Sequence, residues 1–395
     1  MSSKPQFVGE ERSLEKRVEY VRGVTYKAAA DLHEELDDSS YVLLRANNIQ
    51  GGELKFDDVQ YVDRSKVKPK QLLRRGDILV CASSGSKGLV GKAALVRESI
   101  PVTFGAFCYV LRPKHNEAEY LGHYFQSRQY RRAIEEACSG SNINNLKASN
   151  FLSLVVPHYD NDSIRAISAL FDSIDVQIKK AKDQISSLDD LVKSRFVEMF
   201  GDPMEHCDRW PMLRLDDFTQ VITGNTPSRK HPEYYGEGIE WVKTDRIFNS
   251  VVETSAEQLT EEGRSKARTA PAGSILMACI AGSIKSIGKV GLLDREVAFN
   301  QQINAIVPSD RVDPHFLLVM LSLSKDYLCS DVNKQLKGIL NKSTLSAKRF
   351  PLPPLDNQRQ FAAFVQQVTK SQTIAQQQIE KLQTLYDSLA QEYFS

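Results

Sequence analysis

The chain has 395 residues and 44.4 kDa, with 41% hydrophobic and 26% charged residues. That composition excludes a disordered tail protein or a collagen-like fibre and leaves room for two or three packed units. The net charge of +1 is unevenly spread: residues 1–155 carry 23 Lys/Arg against 19 Asp/Glu and residues 206–350 carry 19 against 17, whereas residues 156–205 carry 6 against 10 and residues 351–395 carry 3 against 4. Mildly basic blocks that alternate with acidic ones permit a nucleic-acid partner without demanding one.

The N-terminal stretch MSSKPQFVGEERSLEKR has no apolar core of the signal-peptide kind. The longest charge-free apolar stretch, around Ser274–Ile284, is shorter than the roughly 20 residues of a membrane helix. Six cysteines at 81, 108, 138, 207, 279 and 329 form no CxxC pair, which is not the pattern of a secreted disulfide scaffold. A soluble cytoplasmic protein without a membrane partner is expected.

From the N-terminus, short β-branched runs at Tyr41–Leu44, Asp77–Cys81, Ala93–Val96 and Cys108–Leu111 alternate with Gly, Asn and Asp turns and read as strands. One helix, about Glu117–Ala137, follows. Next comes a long helix led by Pro157 and closed by Gly201 and Pro203. Its apolar positions Ile167, Phe171, Ile174, Ile178, Ala181, Ile185, Leu188 and Val192 step by four and three, the rhythm of a coiled-coil seam. A second globular block follows, with its own helix at about Pro314–Asn333. The chain ends in a second long helix led by Pro351, Pro353 and Pro354, with seam positions Phe361, Val365, Val368, Gln372, Ala375, Ile379, Leu382, Tyr386 and Leu389. Each long helix should run about 38 residues, or about 57 Å. The polar Gln372 is either a register-setting seam residue or a local irregularity.

The two halves are copies of one unit. Gly76 matches Gly273, Ile78 matches Ile275, Leu79 matches Leu276, Gly85-Ser86 matches Gly282-Ser283 and Gly91-Lys92 matches Gly288-Lys289, without a gap. Upstream, Gly23 and Thr25 match Gly224 and Thr226, and Arg64-Ser65-Lys66 matches Arg264-Ser265-Lys266. Downstream, Phe104, Pro113 and Asp160-Asn161 match Phe299, Pro308 and Asp356-Asn357. Neither long helix can bury its stripe alone, so they should pair, antiparallel, with a pseudo-twofold axis and a globule at each end of a rod. The expected fold is therefore α+β: two similar α/β globules, residues 1–155 and 206–350, separated by two long antiparallel coiled-coil helices, residues 156–205 and 351–395.

Little in the sequence points to covalent chemistry. The segments from Gly85 to Lys92 and from Gly282 to Lys289 resemble phosphate loops. However, five residues separate their glycines, and Ala93 or Val290 stands where a magnesium-binding hydroxyl is needed. They read as Gly-rich turns between strands. Glu53-Leu54-Lys55 has the acidic-x-Lys spacing of a nuclease site, but after Gly51-Gly52 it reads as a hairpin. His206-Cys207 is an isolated pair, and no zinc-ligand spacing, methyl-donor loop or Asn/Asp-Pro-Pro-aromatic motif occurs. No catalytic, cofactor-binding or metal site is expected.

The cations are more informative. Arg64, Lys66, Lys68, Lys70, Arg74 and Arg75 fall close together, Arg264, Lys266 and Arg268 occupy the matching place, and Lys87 and Lys92 recur as Lys285 and Lys289. Flexible cations at this density suit phosphate contacts, although a charge run is as often only a solvated face. Polar planar side chains could read base edges: Thr25, Arg45, Asn47 and Asn48 in the first block; Thr226, Ser228, Arg229, Lys230, Lys243, Asp245 and Arg246 in the second. Equally they could be ordinary turn residues.

Several segments together resemble the specificity subunits of type I restriction-modification systems. They are PLPPLDNQRQFAAFV from Pro351, LDDLVKSRFVEMFGDP from Leu188, WPMLRLDDFTQVITGNTPS from Trp210 with WVKTDRI from Trp241, the GDIL, GS and GK pieces of the first globule, and FNQQINAIVP from Phe299. The first globule departs from the pattern: it lacks the Trp-led entry and has Gly23-Val24-Thr25-Tyr26 where the second has Gly224-Asn225-Thr226-Pro227. The resemblance covers nearly the whole chain. It implies two target-recognition domains, each reading half of a bipartite sequence in double-stranded DNA, with the helix pair as the ruler for the unread spacer. It further implies docking of two adenine-modification subunits and of motor-nuclease restriction subunits. S-adenosylmethionine, ATP and magnesium would then belong to those partners and none to this chain. The alternatives are a single-chain restriction or modification enzyme, against which the missing catalytic motifs count, and a coiled-coil protein scaffold, which would lack salt-dependent DNA affinity.

Overall fold

A computed structural model describes residues 12–85, 87–139, 145–203, 209–280, 286–330 and 339–395. Of the positions singled out above, Ser86, His206, Cys207, Gly282, Ser283, Ile284, Lys285 and Asn333 lie outside the described residues, as do the side chains of Lys87 and Cys138. Two compact units form: Met1–Ala181 with Gln377–Ser395, and Lys182–Gln376. The division falls across the long helices, so each unit is one globule together with a half of each helix.

In the first unit a four-stranded antiparallel sheet runs Val18–Arg22, Cys108–Pro113, Ile78–Cys81, Ala93–Leu95 in spatial order. Beside it lies a mixed sheet in which Ser40–Leu44 pairs in parallel with Val102–Phe104 and antiparallel with Gln60–Asp63, with Leu32–His33 at the edge. The second unit repeats the antiparallel sheet as Thr219–Thr223, Ile303–Pro308, Ile275–Ala278, Val290–Leu292. Its mixed sheet again holds one parallel pair, Tyr235–Val242 with Val297–Phe299, and an antiparallel neighbour, Gln258–Leu259. The fourth strand differs: the second unit adds Thr269–Ala270 on the far side of Val297–Phe299. The internal repeat is thus a repeat of sheet topology, with divergence at this sheet edge and in the connecting segments.

Gly23 and Gly224 explain one of the sequence matches. A Cβ on Gly23 would sit 2.1 Å from the Gly105 carbonyl oxygen, and one on Gly224 would sit 2.2 Å from that of Asn300. Only glycine lets these chain segments lie against the neighbouring strand end. The Gly-rich segment after Ile78–Cys81 is the turn into Ala93–Leu95: Gly91, at φ +82°, donates its N–H to the Cys81 carbonyl at 2.8 Å, and Gly288 repeats this with Ala278. Glu53-Leu54-Lys55 belongs to a hairpin turned by Gly51-Gly52, and its Lys55 ammonium is paired with Glu53 at 2.6 Å.

The single helices expected near 117–137 and 314–333 are each broken. The first is Ala118–Tyr124 followed by Arg128–Ser139, and the second is Pro314–Leu323 followed by Lys325–Leu328. The cause of the first break is Ser127, whose hydroxyl accepts from the Tyr130 N–H and donates to the Tyr124 carbonyl, capping a new helix in place of continuing the old one. Apolar periodicity does not register a local side-chain competitor of this kind.

The long helices are Asn161–Phe200 and Leu355–Phe394, 40 residues each. The first ends at Gly201, φ +85°, whose N–H bonds the Val197 carbonyl. Within the first unit the pairing is antiparallel: the Tyr159 hydroxyl donates to the Tyr393 carbonyl at 3.1 Å, while the Phe171 ring meets Tyr386 at 4.7 Å. Ile167, Phe171, Ile174 and Ile178 are buried there, with Ile379, Leu382 and Leu389 packed against them. In the second unit Phe361, Val365 and Val368 are buried, Ile185 and Leu188 are half-buried, and Phe196 meets Phe361 at 5.4 Å. Gln372 donates across the pair to Asp189 at 2.7 Å, so this seam residue makes a specific inter-helix bond.

The globules hold the helices by polar contacts as well. In the first unit His123 stacks on Phe171 and lies 3.1 Å from the Tyr386 hydroxyl and 3.2 Å from Asp172. The bond to His123 holds the Asp172 carboxyl below its usual range against the opposing effect of partial burial.

Candidate nucleic-acid interface

Strand register decides which candidate residues share a surface. In the first unit Leu44 lies opposite Phe104, Cys81 opposite Cys108, and Arg22 opposite Tyr109. One end of both sheets therefore carries the segments that follow Arg22, Leu44 and Cys81. Thr25 is at this end, because Val24 bridges to Gly105. Arg45 and Asn47 follow Leu44 directly, and Lys92 sits here because its carbonyl accepts from the Cys81 N–H.

The other candidates in this unit lie elsewhere. The Arg64 N–H bonds the Ser39 carbonyl, its guanidinium bonds the Ser40 carbonyl at 3.0 Å, and it covers the Tyr41 ring. That is the opposite end of the Ser40–Leu44 strand, about 13 Å away at 3.3 Å per residue. Lys66 pairs with Asp31 at 3.1 Å. Lys68 is exposed on the return segment, where the Gln71 amide reaches the Arg22 carbonyl.

The second unit gathers its candidates more tightly. Asn225 is the centre: its amide donates to the Lys266 carbonyl and accepts from the Arg268 N–H, both at 2.7 Å, and its carbonyl accepts from the Trp241 indole. The Arg268 guanidinium bonds the Thr223 carbonyl, and the Thr226 hydroxyl bonds Gln301. Arg229 lies over the Tyr235 and Trp241 rings at 4.1 and 5.2 Å, and Lys243 lies 5.2 Å from the same Trp241. Both cations bind Glu257. Burial raises the Glu257 carboxyl, but the bonds from Lys243 and Arg229 outweigh it, and the group stays below its usual range. Lys230 is exposed beside Ser228, and Lys289 lies 5.5 Å from the exposed Phe248 ring. Arg264, paired with Glu296 at 2.9 Å, stands apart, because Glu296 precedes the strand Val297–Phe299 at its other end.

Burial overturns one polar candidate. Asn48 is fully buried, and its side chain accepts from the Arg45 N–H and donates to the Lys55 and Asp57 carbonyls, so it shapes the loop and presents no base-reading group. Arg45 and Asn47 are both engaged with Asp58, the former at 3.1 Å and the latter at 3.0 Å. Half-exposed pairs of this kind are worth only about 0–1 kcal/mol, so a phosphate can take the cation over at little cost. Among the described residues Lys68, Lys92 and Lys230 carry no ion pair.

Pattern reading missed Asn225, Trp241, Glu257 and one turn present in both units. In the first, Gly105 accepts from Cys108 at 2.9 Å, and the Phe107 carbonyl accepts from Ala82 and Ser83 at 2.9 and 3.1 Å. In the second, Asn300 accepts from Ile303 at 3.1 Å, and the Gln302 carbonyl accepts from Cys279 and Ile280 at 2.8 and 3.1 Å. The backbone frame is the same while the side chains differ. Phe107 is 69% exposed, Gln301 is exposed and Gln302 is half-buried. The available signal was the alignment of Phe104 with Phe299, which places this turn at matching positions.

The arrangement can present cations and hydrogen-bonding side chains on strand ends. Among the described residues no group of three His, Cys, Asp or Glu side chains is placed to hold a metal ion, and no helix is long and apolar enough to cross a membrane.

The chain is similar in sequence and in fold to known proteins. The family described as type I restriction modification DNA specificity domain matches residues 208–384. The StySPI specificity subunit of Salmonella potsdam is 35% identical over 174 residues, 44% of this chain and 37% of that protein. The match thus spans little more than a third of that relative. The EcoKI specificity subunit of Escherichia coli K12 is 26% identical over 370 residues, 88% of this chain and 79% of the relative. In fold, the type I restriction-modification S subunit from M. genitalium superposes with a TM-score of 0.53 at 14% identity, covering 98% of this chain and 96% of that one. A chain from a structure describing assembly and conformational transition of a type I R-M system gives 0.52 at 16% identity, covering 95% and 97%. With its duplicated globules and helix halves, the chain is similar to the specificity subunits of type I restriction-modification systems, and its residues 208–384 match their DNA specificity domain.

Proposed function

We propose that this chain is a non-catalytic, cytoplasmic subunit that reads a bipartite sequence in double-stranded DNA. Each globule reads one half, and the helix pair sets the unread spacer and docks two adenine-modification subunits. Motor-nuclease subunits join for cleavage. S-adenosylmethionine, ATP and magnesium serve those partners, and the chemistry is theirs. The observation that carries this reading is the recurrence of one strand-end frame in both units, with matching polar groups (Thr25, Arg45 and Lys92 in the first, Thr226, Lys243 and Lys289 in the second) around a turn whose exposed side chains differ, Phe107 in the first and Gln301 in the second. A frame repeated with altered side chains is what two half-sites of different sequence require.

A base-modification map of the host genome, with and without the gene, tests it. Loss of N6-methyladenine at one split motif, two short specific halves around a fixed gap, is the expected result. An unchanged map in cells that express all partner subunits refutes it.

The ion pairs at the interface give a second expectation. Glu257→Gln frees Arg229 and Lys243 for phosphate, so the slope of log K against log salt should steepen by about one unit for each additional phosphate neutralised. Titrating DNA binding of the full chain between low and moderate salt measures this. An unchanged slope means that these cations do not face the DNA backbone.

A further inference from the structure

The turns Gly105–Cys108 and Asn300–Ile303 occupy the same place in their units, are held by the same backbone bonds, and carry chemically opposite side chains. The Phe107 carbonyl is pinned by two N–H donors while its ring is 69% exposed. A single exposed apolar residue is ordinary on a protein surface. This one is set among polar groups at one strand end: Thr25 by way of the Val24–Gly105 bridge, Arg45 by way of the Gly105 N–H to the Leu44 carbonyl, and Lys92 by way of Cys81. In the second unit the corresponding residues are Gln301 and Gln302. Gln301 gives its side-chain carbonyl to the Thr226 hydroxyl, which leaves its amide nitrogen as a donor, and Gln302 accepts from the Asn300 amide.

We propose that this turn contacts bases in both units and sets one position of each half-site. Phe107 makes an apolar contact with a thymine 5-methyl in the first half-site, and Gln301 hydrogen-bonds a base edge in the second. The inference rests on the DNA-reading function proposed above and adds the residue and the base feature that it reads. Its chemical basis is the groove surface of duplex DNA, where the thymine methyl is the apolar group on a base edge and amide side chains pair with adenine. A rigid turn suits this task because no ordering of the loop is needed on binding.

The test is selection of duplexes from a random pool by the full chain with its co-purifying subunits, for the native protein, Phe107→Ala, and the double variant Ala106→Gln with Phe107→Gln. Native protein is expected to enrich a split motif, and replacing thymine by uracil at one position of one half of the selected duplex should weaken binding about four-fold, the worth of one buried methyl. Phe107→Ala should lose that preference for thymine and leave the other half and the salt slope intact, and the double variant should select a different base at the same position. If Phe107→Ala returns the same motif with the same thymine preference, the proposal is overturned while DNA reading stands. Abolished binding also overturns it, because a residue that reads one position cannot remove recognition of the other half. If the native protein enriches no sequence, the proposal falls together with the reading on which it rests.

Discussion

Phe361→Ala is expected to destabilise the second unit by about 3–5 kcal/mol, the range for deleting a large buried aromatic side chain. Phe196, Phe200, Phe316 and Phe361 are all fully buried and pack edge to face or stacked, with ring centroids 5.0 to 5.5 Å apart. Each such contact adds about 0.5–1.5 kcal/mol beyond area alone, which puts the effect toward the upper end. The cluster joins the start of the second long helix, the end of the first and the globular helix Pro314–Leu323. Its loss loosens the helix pair and the globule together. Both tryptophans, Trp210 and Trp241, belong to this unit, so urea unfolding followed by tryptophan fluorescence reports it directly. Phe361→Leu should recover most of the loss. A shift below about 1 kcal/mol for the alanine variant would show that the cavity collapses and that the cluster is not the tie described here.

In the first unit the matching expectation concerns charge. Glu117→Ala leaves the Arg17 guanidinium buried without its partner and should cost about 3–5 kcal/mol. The pair is 2.9 Å long with side chains only 4% and 2% exposed, and Arg17 also donates to the Val156 carbonyl at 2.7 Å. It fastens the entry to the strand Val18–Arg22 to the start of the helix Ala118–Tyr124 and to the strand before the first long helix. Replacing both residues, Arg17→Met with Glu117→Leu, should restore most of the stability, because the penalty comes from an unpaired buried charge and not from a strong net attraction. Circular dichroism in urea, with hydrogen exchange at the Val18–Arg22 amides, measures both variants. Equal destabilisation by the single and double changes would assign the effect to packing alone.

What was legible in the sequence was whatever follows from period, spacing or residue type at one place in the chain. The 197-residue offset between Gly76 and Gly273 marked the duplication, and the same positions head the strands Ile78–Cys81 and Ile275–Ala278. The four-three rhythm through Phe171 and Phe361 marked helices that are buried along that stripe, because a seam is a property of one helix read along itself. Glycines at 91 and 288 marked turns, since their positive φ values are local.

Clustering of the candidate residues was legible only in part. Arg64 and Lys66 are close in sequence to Lys68, yet the register of Ser40–Leu44 against Gln60–Asp63 carries Arg64 to the far end of the sheet. Asn225 and Lys266 are 41 positions apart and share a hydrogen bond. Asn48 has the composition of a reading residue but spends its amide on the loop's own backbone.

By itself, then, the sequence determined the duplication, the two long helices, their seams, the Gly-rich turns and the resemblance that implied a DNA-reading subunit. All of these rest on local spacing or on motif identity. Only the tertiary structure decided which cations stand together on one strand end, which are tied to Glu257, Asp58 or Asp31, and that one turn offers Phe107 in the first unit and Gln301 in the second. Strand pairing, which brings those residues together, depends on contacts between positions far apart in the chain, and no periodicity records which strand lies beside which.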